Sequence, residues 1–235
     1  MKKREEIISC IGISYIEPII VLYNELISHK YQGKSKIKVS SRENGYSVSI
    51  ILLSVLTVES ALNRIRYLKK SNKDNLEFFK IQFKNKQLYD KLNEIYILRD
   101  LVVHNHIWKI TYEFDDDYNE TKIYQKLLKG YGSKRGGKGD FKYNSYVDKR
   151  SKKTKILKLN VNPIKIYTKD VKIVLDILKE LFDFFDSIDK SYFPINNFPF
   201  RFNGKFKKFS EIVNEITSVG VKKLEKIRVR SQHLT

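Results

Sequence analysis

A long apolar segment at residues 46–70 restricts this chain to few architectures. Its most apolar stretch, VSIILLSVLTV at 48–58, is apolar on nearly every side of a helix and ends at Glu59. These 11 residues are too few to span a bilayer. A helix that is apolar all round is typical of the centre of a helical bundle. We therefore predict a bundle with this helix in the middle.

Four further segments have apolar residues at spacings of three and four. This periodicity predicts helices over 4–30, 73–84, 86–105 and 169–188. The predicted fold class is mainly α, a four- to five-helix bundle with a small antiparallel β insertion.

The β insertion is predicted from a change of period after the fourth helix. The sequence IWKITYEFD at 107–115 alternates apolar and polar residues, as a strand does, and KILKLNV at 155–161 is predicted to be its partner strand. We expect one domain, with a helical core at about 1–106 and 169–188, an insertion at about 107–165 and an aromatic and basic C-terminal extension at 189–235. The aromatic part of the extension should pack back on the body, ahead of a final amphipathic segment that uses Phe206, Phe209, Val213 and Ile216.

The chain is strongly basic, with 46 Lys and Arg against 27 Asp and Glu and a net charge of +19. Such a charge favours a polyanionic partner, RNA or DNA before an anionic membrane; a basic coding bias would give the same composition without any such partner. The single cysteine, Cys10, forms no intramolecular disulfide. A reducing, cytoplasmic location is therefore expected.

The segment YILRDLVVHNHIW at 96–108 places an arginine where an apolar side chain is expected. On a helix, Arg99 shares the stripe of Leu88, Leu92, Ile95 and Val102. A guanidinium does not lose its proton there, so it needs a counter-charge.

A carboxylate on the preceding helix is a candidate for that counter-charge. Glu59 follows the long apolar run, and Asn63 shares its helical face. We predict a contact between Glu59 and Arg99. A purely structural ion pair remains an alternative to a catalytic one.

A histidine near the end of the same helix adds a group that titrates near neutral pH. His104 lies five residues after Arg99, and Asp100 lies one helical turn before His104, where it can orient the imidazole. The segment thus combines a proton shuttle, a fixed cation and an orienting carboxylate, which suits phosphoryl transfer.

The run RDLVVH at 99–104 resembles the R-x4-6-H signature of HEPN-domain proteins, in which a polar residue usually follows the arginine. An acidic residue on an earlier helix, as Glu59 is here, is a common companion. The resemblance covers the helical part, about 1–106 and 169–188. It implies a metal-independent endoribonuclease without a cofactor, in which Arg99 and His104 are catalytic and Glu59, Asp100 and Asn63 support them.

The same resemblance implies a homodimer with a composite active site, because one His104 does not easily stand on both sides of a phosphate. The expected substrates are tRNA or mRNA, and the products a 2′,3′-cyclic phosphate and a 5′-OH. The resemblance further points to phage defence, stress response or a toxin system, with room for an inhibitory or sensor partner protein. A non-catalytic RNA-binding or scaffold protein is the alternative function.

Two other features bear on ligands. As metal ligands, His104 and His106 lack nearby Cys or carboxylate partners at suitable spacing, so no metal is expected. The loop at 131–153 has eight basic against two acidic residues, with aromatic residues between them. This mixture suits single-stranded RNA, although a solvated loop would have the same composition. The candidate RNA-binding residues are Lys134, Arg135, Lys138, Phe141, Tyr143, Lys149 and Arg150.

Overall fold

The structure, a computed structural model, describes residues 8–29, 41–103, 108–117, 120–127 and 143–218. Its α-helices are α1 (Ile16–Ser28), α2 (Ser41–Leu68), α3 (Asn75–Phe83), α4 (Lys86–Val103), α5 (Thr168–Ile188) and α6 (209–218), and one further α-helical turn covers 143–146. Its strands are β1 (Trp108–Phe114), β2 (Glu120–Leu127), β3 (Val147–Asp148), β4 (Lys153–Thr154), β5 (Phe200–Phe202) and β6 (Lys205–Lys207). The mainly helical, bundle-like prediction with small antiparallel strand pairs is confirmed.

Helix α2 lies at the centre, as its apolar sequence predicts. It packs against α1, α3, α4 and α5. Ile50, Ile51, Ala61, Leu62 and Ile65 are fully buried along its length. A helix with neighbours on several sides must be apolar on several sides, which explains the run at 48–58.

Helix α3 is short and starts at a well-formed cap. The Asp74 carboxylate accepts hydrogen bonds from the backbone N–H groups of Leu76 and Glu77, at 3.0 and 2.9 Å. Such a cap satisfies N–H groups that have no partner within the helix. The cap fixes the corner between α2 and α3, on which part of the candidate site depends.

Helix α5 and the C-terminal extension complete one apolar core with the earlier helices. The ring of Phe182 stacks on Phe193 with centroids 4.4 Å apart, and Phe209 lies against Phe182 at 5.9 Å. The extension therefore packs back on the body, as expected. Offset aromatic contacts of this kind add to the stabilisation from apolar burial.

The predicted partner strand at 155–161 is wrong. Strand β1 pairs instead with β2, in antiparallel register with Tyr112 opposite Ile123. The backbone N–H groups of Ile156 and Leu157 donate to the fully buried carboxylate of Glu94, both at 2.7 Å. Because these N–H groups bond a side chain, they are not free for a strand ladder.

The predicted role of Phe206 in the final amphipathic helix is also wrong. Phe206 lies in β6 and is 75% exposed, whereas the other three predicted residues are buried in α6. The turn between β5 and β6 is Asn203–Gly204, both with positive φ. Asn-Gly favours this tight hairpin turn, so the chain reverses before the helix begins.

Within the described residues, two segments, Ile11–Ser28 and Ser41–Leu68, are long and apolar enough to cross a membrane by length and composition. A core helix of a soluble protein meets the same criteria. In α2, half of the apolar window is buried inside the protein, in keeping with its central place in the bundle.

Candidate active site

The predicted contact between α2 and α4 is present. The Nη2 atom of Arg99 donates to Oε1 of Glu59 at 3.0 Å. The two side chains are 29% and 25% exposed, so the pair lies at the rim of the bundle rather than in its core. An ion pair at the rim remains within reach of a bound molecule.

A second carboxylate lies against the same guanidinium. Nε of Arg99 is 3.1 Å from Oδ1 of Asp100, which is close enough for an ion pair. The buried Nε–H is not aligned for a hydrogen bond. Among the described residues, no acceptor bonds Nη1 of Arg99. Two carboxylates therefore lie against Nε and Nη2 of the guanidinium.

The third contact of Arg99 is aromatic. Its guanidinium carbon lies 5.3 Å from the centre of the Tyr96 ring, a cation–π distance. Burial and the nearby Glu59 carboxylate raise the pKa of Tyr96, while the Arg99 cation and the polar Asn75 side chain oppose this rise. Tyr96 is therefore neutral at physiological pH and serves as an apolar floor for the guanidinium.

Asn63, expected as a support, belongs to a neighbouring part of the same polar network. Its Oδ1 accepts from Nη1 of Arg66 at 3.2 Å, and the same nitrogen donates to Oδ1 of Asn75 at 2.9 Å. Since the Asn75 side chain lies beside the hydroxyl of Tyr96, Asn63 is linked to the Arg99 site through two intervening side chains.

The sequence analysis overlooked three members of this network: Arg66, Asn75 and Tyr96. Arg66 was recognisable, because it lies seven residues after Glu59 and thus on the same face of α2. Asn75 gave no signal in the sequence, since its place depends on the turn between α2 and α3.

His104 and His106 lie outside the described residues, so the geometry of the predicted proton shuttle and of its contact with Asp100 is not described. The same applies to Lys134, Arg135, Lys138 and Phe141 of the basic loop.

The remaining loop residues fall into two environments. Tyr143 is half-buried and packs with Tyr146 against Ile97 and Leu101 of α4. Burial raises the pKa of Tyr143. Lys149 and Arg150 are exposed in the turn between β3 and β4. Tyr143 thus contributes to packing on α4, and the two cations remain accessible to an anion.

Within the described ranges, no three His, Cys, Asp or Glu side chains are grouped closely enough to hold a metal ion. In the comparisons with known proteins, no family model, curated protein or solved structure matches the chain. The functional argument therefore depends on the residues themselves.

Proposed function

We propose that the protein is a metal-independent endoribonuclease of HEPN type. The observation that carries the proposal is the guanidinium of Arg99, fixed by Glu59 at 3.0 Å and by Asp100 at 3.1 Å, five residues before His104. A cation held rigidly in place stabilises charge that develops on a phosphate without having to reorganise first.

The proposed reaction is attack of the ribose 2′-OH on the adjacent phosphorus. One His104 takes the proton of the 2′-OH, and the partner subunit's His104 protonates the departing 5′-oxygen. Arg99 stabilises the non-bridging oxygens of the phosphate. A P–O bond forms to the 2′-oxygen and the P–O5′ bond breaks, which leaves a 2′,3′-cyclic phosphate and a 5′-OH.

The local charge of the Arg99 site does not by itself attract RNA. Arg99 with its two carboxylates has a net charge of −1, which alone would repel RNA. The +19 charge of the whole chain supplies the attraction, and it favours RNA as the partner.

The test is cleavage of total tRNA and mRNA by the purified protein in excess EDTA, beside the His104→Ala variant. Wild-type cleavage that leaves cyclic-phosphate ends, absent in the variant, is the expected result. Full activity of His104→Ala, or cleavage that requires a divalent metal, would contradict the proposal.

A non-catalytic RNA-binding protein is the second candidate, favoured by the net charge alone. Expression in cells separates the two, because an endoribonuclease is expected to arrest growth and His104→Ala is expected to abolish that effect. Equal growth arrest by wild type and variant would favour the non-catalytic function.

A further inference from the structure

The corner between α2 and α3 carries more positive charge than its own contacts neutralise. Residues 64–73 read RIRYLKKSNK, five basic residues and no acidic one. Three of the five are engaged: Arg64 donates to the backbone carbonyls of Ile8 and Ser191, Lys69 lies over the ring of Tyr192, and Lys73 pairs with Glu77. The other two are Arg66 and Lys70. With Tyr67 between them, we call these residues the basic corner.

Arg66 is a half-buried guanidinium without an anionic partner among the described residues. Its Nη1 donates to two amide oxygens, of Asn63 at 3.2 Å and of Asn75 at 2.9 Å, and both amides are neutral. Its Nε is buried, and no acceptor in the described part of the chain bonds it. A bound anion would stabilise a permanent cation in such surroundings, and a planar guanidinium matches the geometry of a phosphate.

The neighbours of Arg66 add the other half of a nucleic-acid site. Tyr67 is 70% exposed, so the face of its ring is accessible to a base. Lys70 is exposed in a left-handed conformation with φ of 52°, just beyond the end of α2. Proteins that bind single-stranded nucleic acid combine cations that contact phosphates with aromatic rings that stack on bases.

The basic corner is continuous with the candidate active site. Arg66 lies two helical turns from Glu59 on the same face of α2, about 10 Å along the axis. Asn75 accepts a hydrogen bond from Arg66 and lies beside Tyr96, on whose ring Arg99 packs. One extended strand can therefore meet both guanidiniums at different phosphates.

We propose that the basic corner binds the single-stranded RNA that flanks the phosphate at Arg99, with Arg66 and Lys70 on phosphates and Tyr67 against a base. This inference rests on the proposed function. The competing explanation is that Arg66 only offsets the helix dipole in the last turn of α2. That role would require neither Lys70 nor Tyr67.

The test measures the affinity of the full-length protein for a single-stranded 2′-O-methyl RNA oligonucleotide. This probe has no 2′-OH to react, so binding is observed without cleavage. Fluorescence anisotropy in EDTA at several salt concentrations gives the slope of log affinity against log salt. Arg66→Gln and Lys70→Gln are each expected to reduce that slope by about 0.7, the value for one phosphate contact on a single strand.

Lys86→Gln is the matched control. The Lys86 side chain is 89% exposed at the far end of α4, about 20 Å along the helix from Arg99. The Lys86→Gln variant removes the same charge, and its salt slope is expected to stay near that of the wild type. Lys70 is exposed, so its variant tests the proposal even if Arg66→Gln fails to fold.

Tyr67→Ala is expected to weaken binding by at least about five-fold with an unchanged salt slope, because stacking involves no counterion release. Tyr67→Phe keeps the ring and should bind as the wild type does. Variants of Arg66, Tyr67 and Lys70 that all behave like Lys86→Gln would overturn the proposal. So would binding of anionic vesicles, but not of the oligonucleotide, that depends on the same residues.

The two proposals fail in different ways. A protein that binds the probe through the basic corner but cleaves no RNA would overturn the proposed function and leave this inference standing. A protein that cleaves RNA with a KM unaffected by Arg66→Gln and Lys70→Gln would overturn this inference alone.

Discussion

Arg99 lies at the rim of the bundle between the carboxylates of Glu59 and Asp100, with its guanidinium over the Tyr96 ring. Its helical spacing gave the direction toward α2 and hence the partner, Glu59. The spacing did not predict how deeply the pair is buried, because a helical projection contains no information on where a bundle ends. The pair is therefore present, but 29% and 25% exposed, and the Tyr96 ring beneath it was not foreseen.

Arg99 has a proposed role in catalysis and a role in stability, and its partial exposure predicts different sizes for the two effects. Arg99→Ala is expected to lower RNA cleavage by about 10²- to 10³-fold, the usual effect of losing one preorganised donor at a developing charge. It should lower the free energy of unfolding by about 1 kcal/mol, because an ion pair at the rim is still partly screened by solvent. Urea unfolding and single-turnover cleavage of the same samples measure both. A large loss of stability with little loss of activity would mean that the pair is structural.

Arg99→Lys provides the matched control for charge. Lysine keeps the positive charge but loses the planar fork that contacts Glu59 and Asp100 together. An activity between those of the wild type and Arg99→Ala is expected. Cleavage by Arg99→Lys at the wild-type rate would contradict a role for the fork.

Buried tyrosines make stability depend on alkaline pH. Burial raises the pKa of Tyr23 to about 12. Its value in the unfolded chain is about 10, so the unfolded state loses the proton first. The stabilisation is complete below about pH 10 and falls by at most about 1.4 kcal/mol per pH unit up to about pH 12.

The Tyr23→Phe variant tests this dependence, because it removes the ionisable group and keeps the ring. Its free energy of unfolding by urea should fall less steeply than that of the wild type between about pH 10 and 12. Parallel curves would show that Tyr23 titrates alike in the folded and unfolded chains.

Among the secondary-structure elements, helices whose apolar residues recur at regular spacing over many turns were predictable, and irregular segments were not. Helix α5 begins and ends within one residue of the predicted 169–188. The segment 155–161 alternates like a strand, yet the backbone N–H groups of Ile156 and Leu157 donate to Glu94, more than sixty residues away in sequence. Local pattern carries no information about such a partner, whereas the Asn-Gly turn at 203–204 was a local signal that was missed.

Glu94 fixes the segment after β4 onto α4, so its loss should be costly. In Glu94→Gln one of the two bonds at 2.7 Å is lost, because an amide nitrogen faces a backbone N–H. We expect a loss of about 1–3 kcal/mol in the free energy of unfolding. Hydrogen exchange at Ile156 and Leu157 should become faster. Unchanged exchange at both amides would contradict this anchoring role.

At the scale of the whole molecule, one apolar core joins the early helices to α5 and α6, and the chain as a whole has a net charge of +19. The length of α2 and the apolar C-terminal extension made that core predictable. The polar network at the rim was only partly predictable, because it is built from three helices. The central claim goes one step further: two copies of the chain each place one His104 at a single phosphate.

The most direct measurement of that claim is RNA cleavage in excess EDTA by dimers co-expressed from wild-type and His104→Ala chains at varied ratios. If both histidines are needed, activity follows the square of the wild-type fraction, so an equal mixture retains about a quarter of the activity. Activity proportional to the wild-type fraction, about half in that mixture, would show that one chain suffices and would contradict the account.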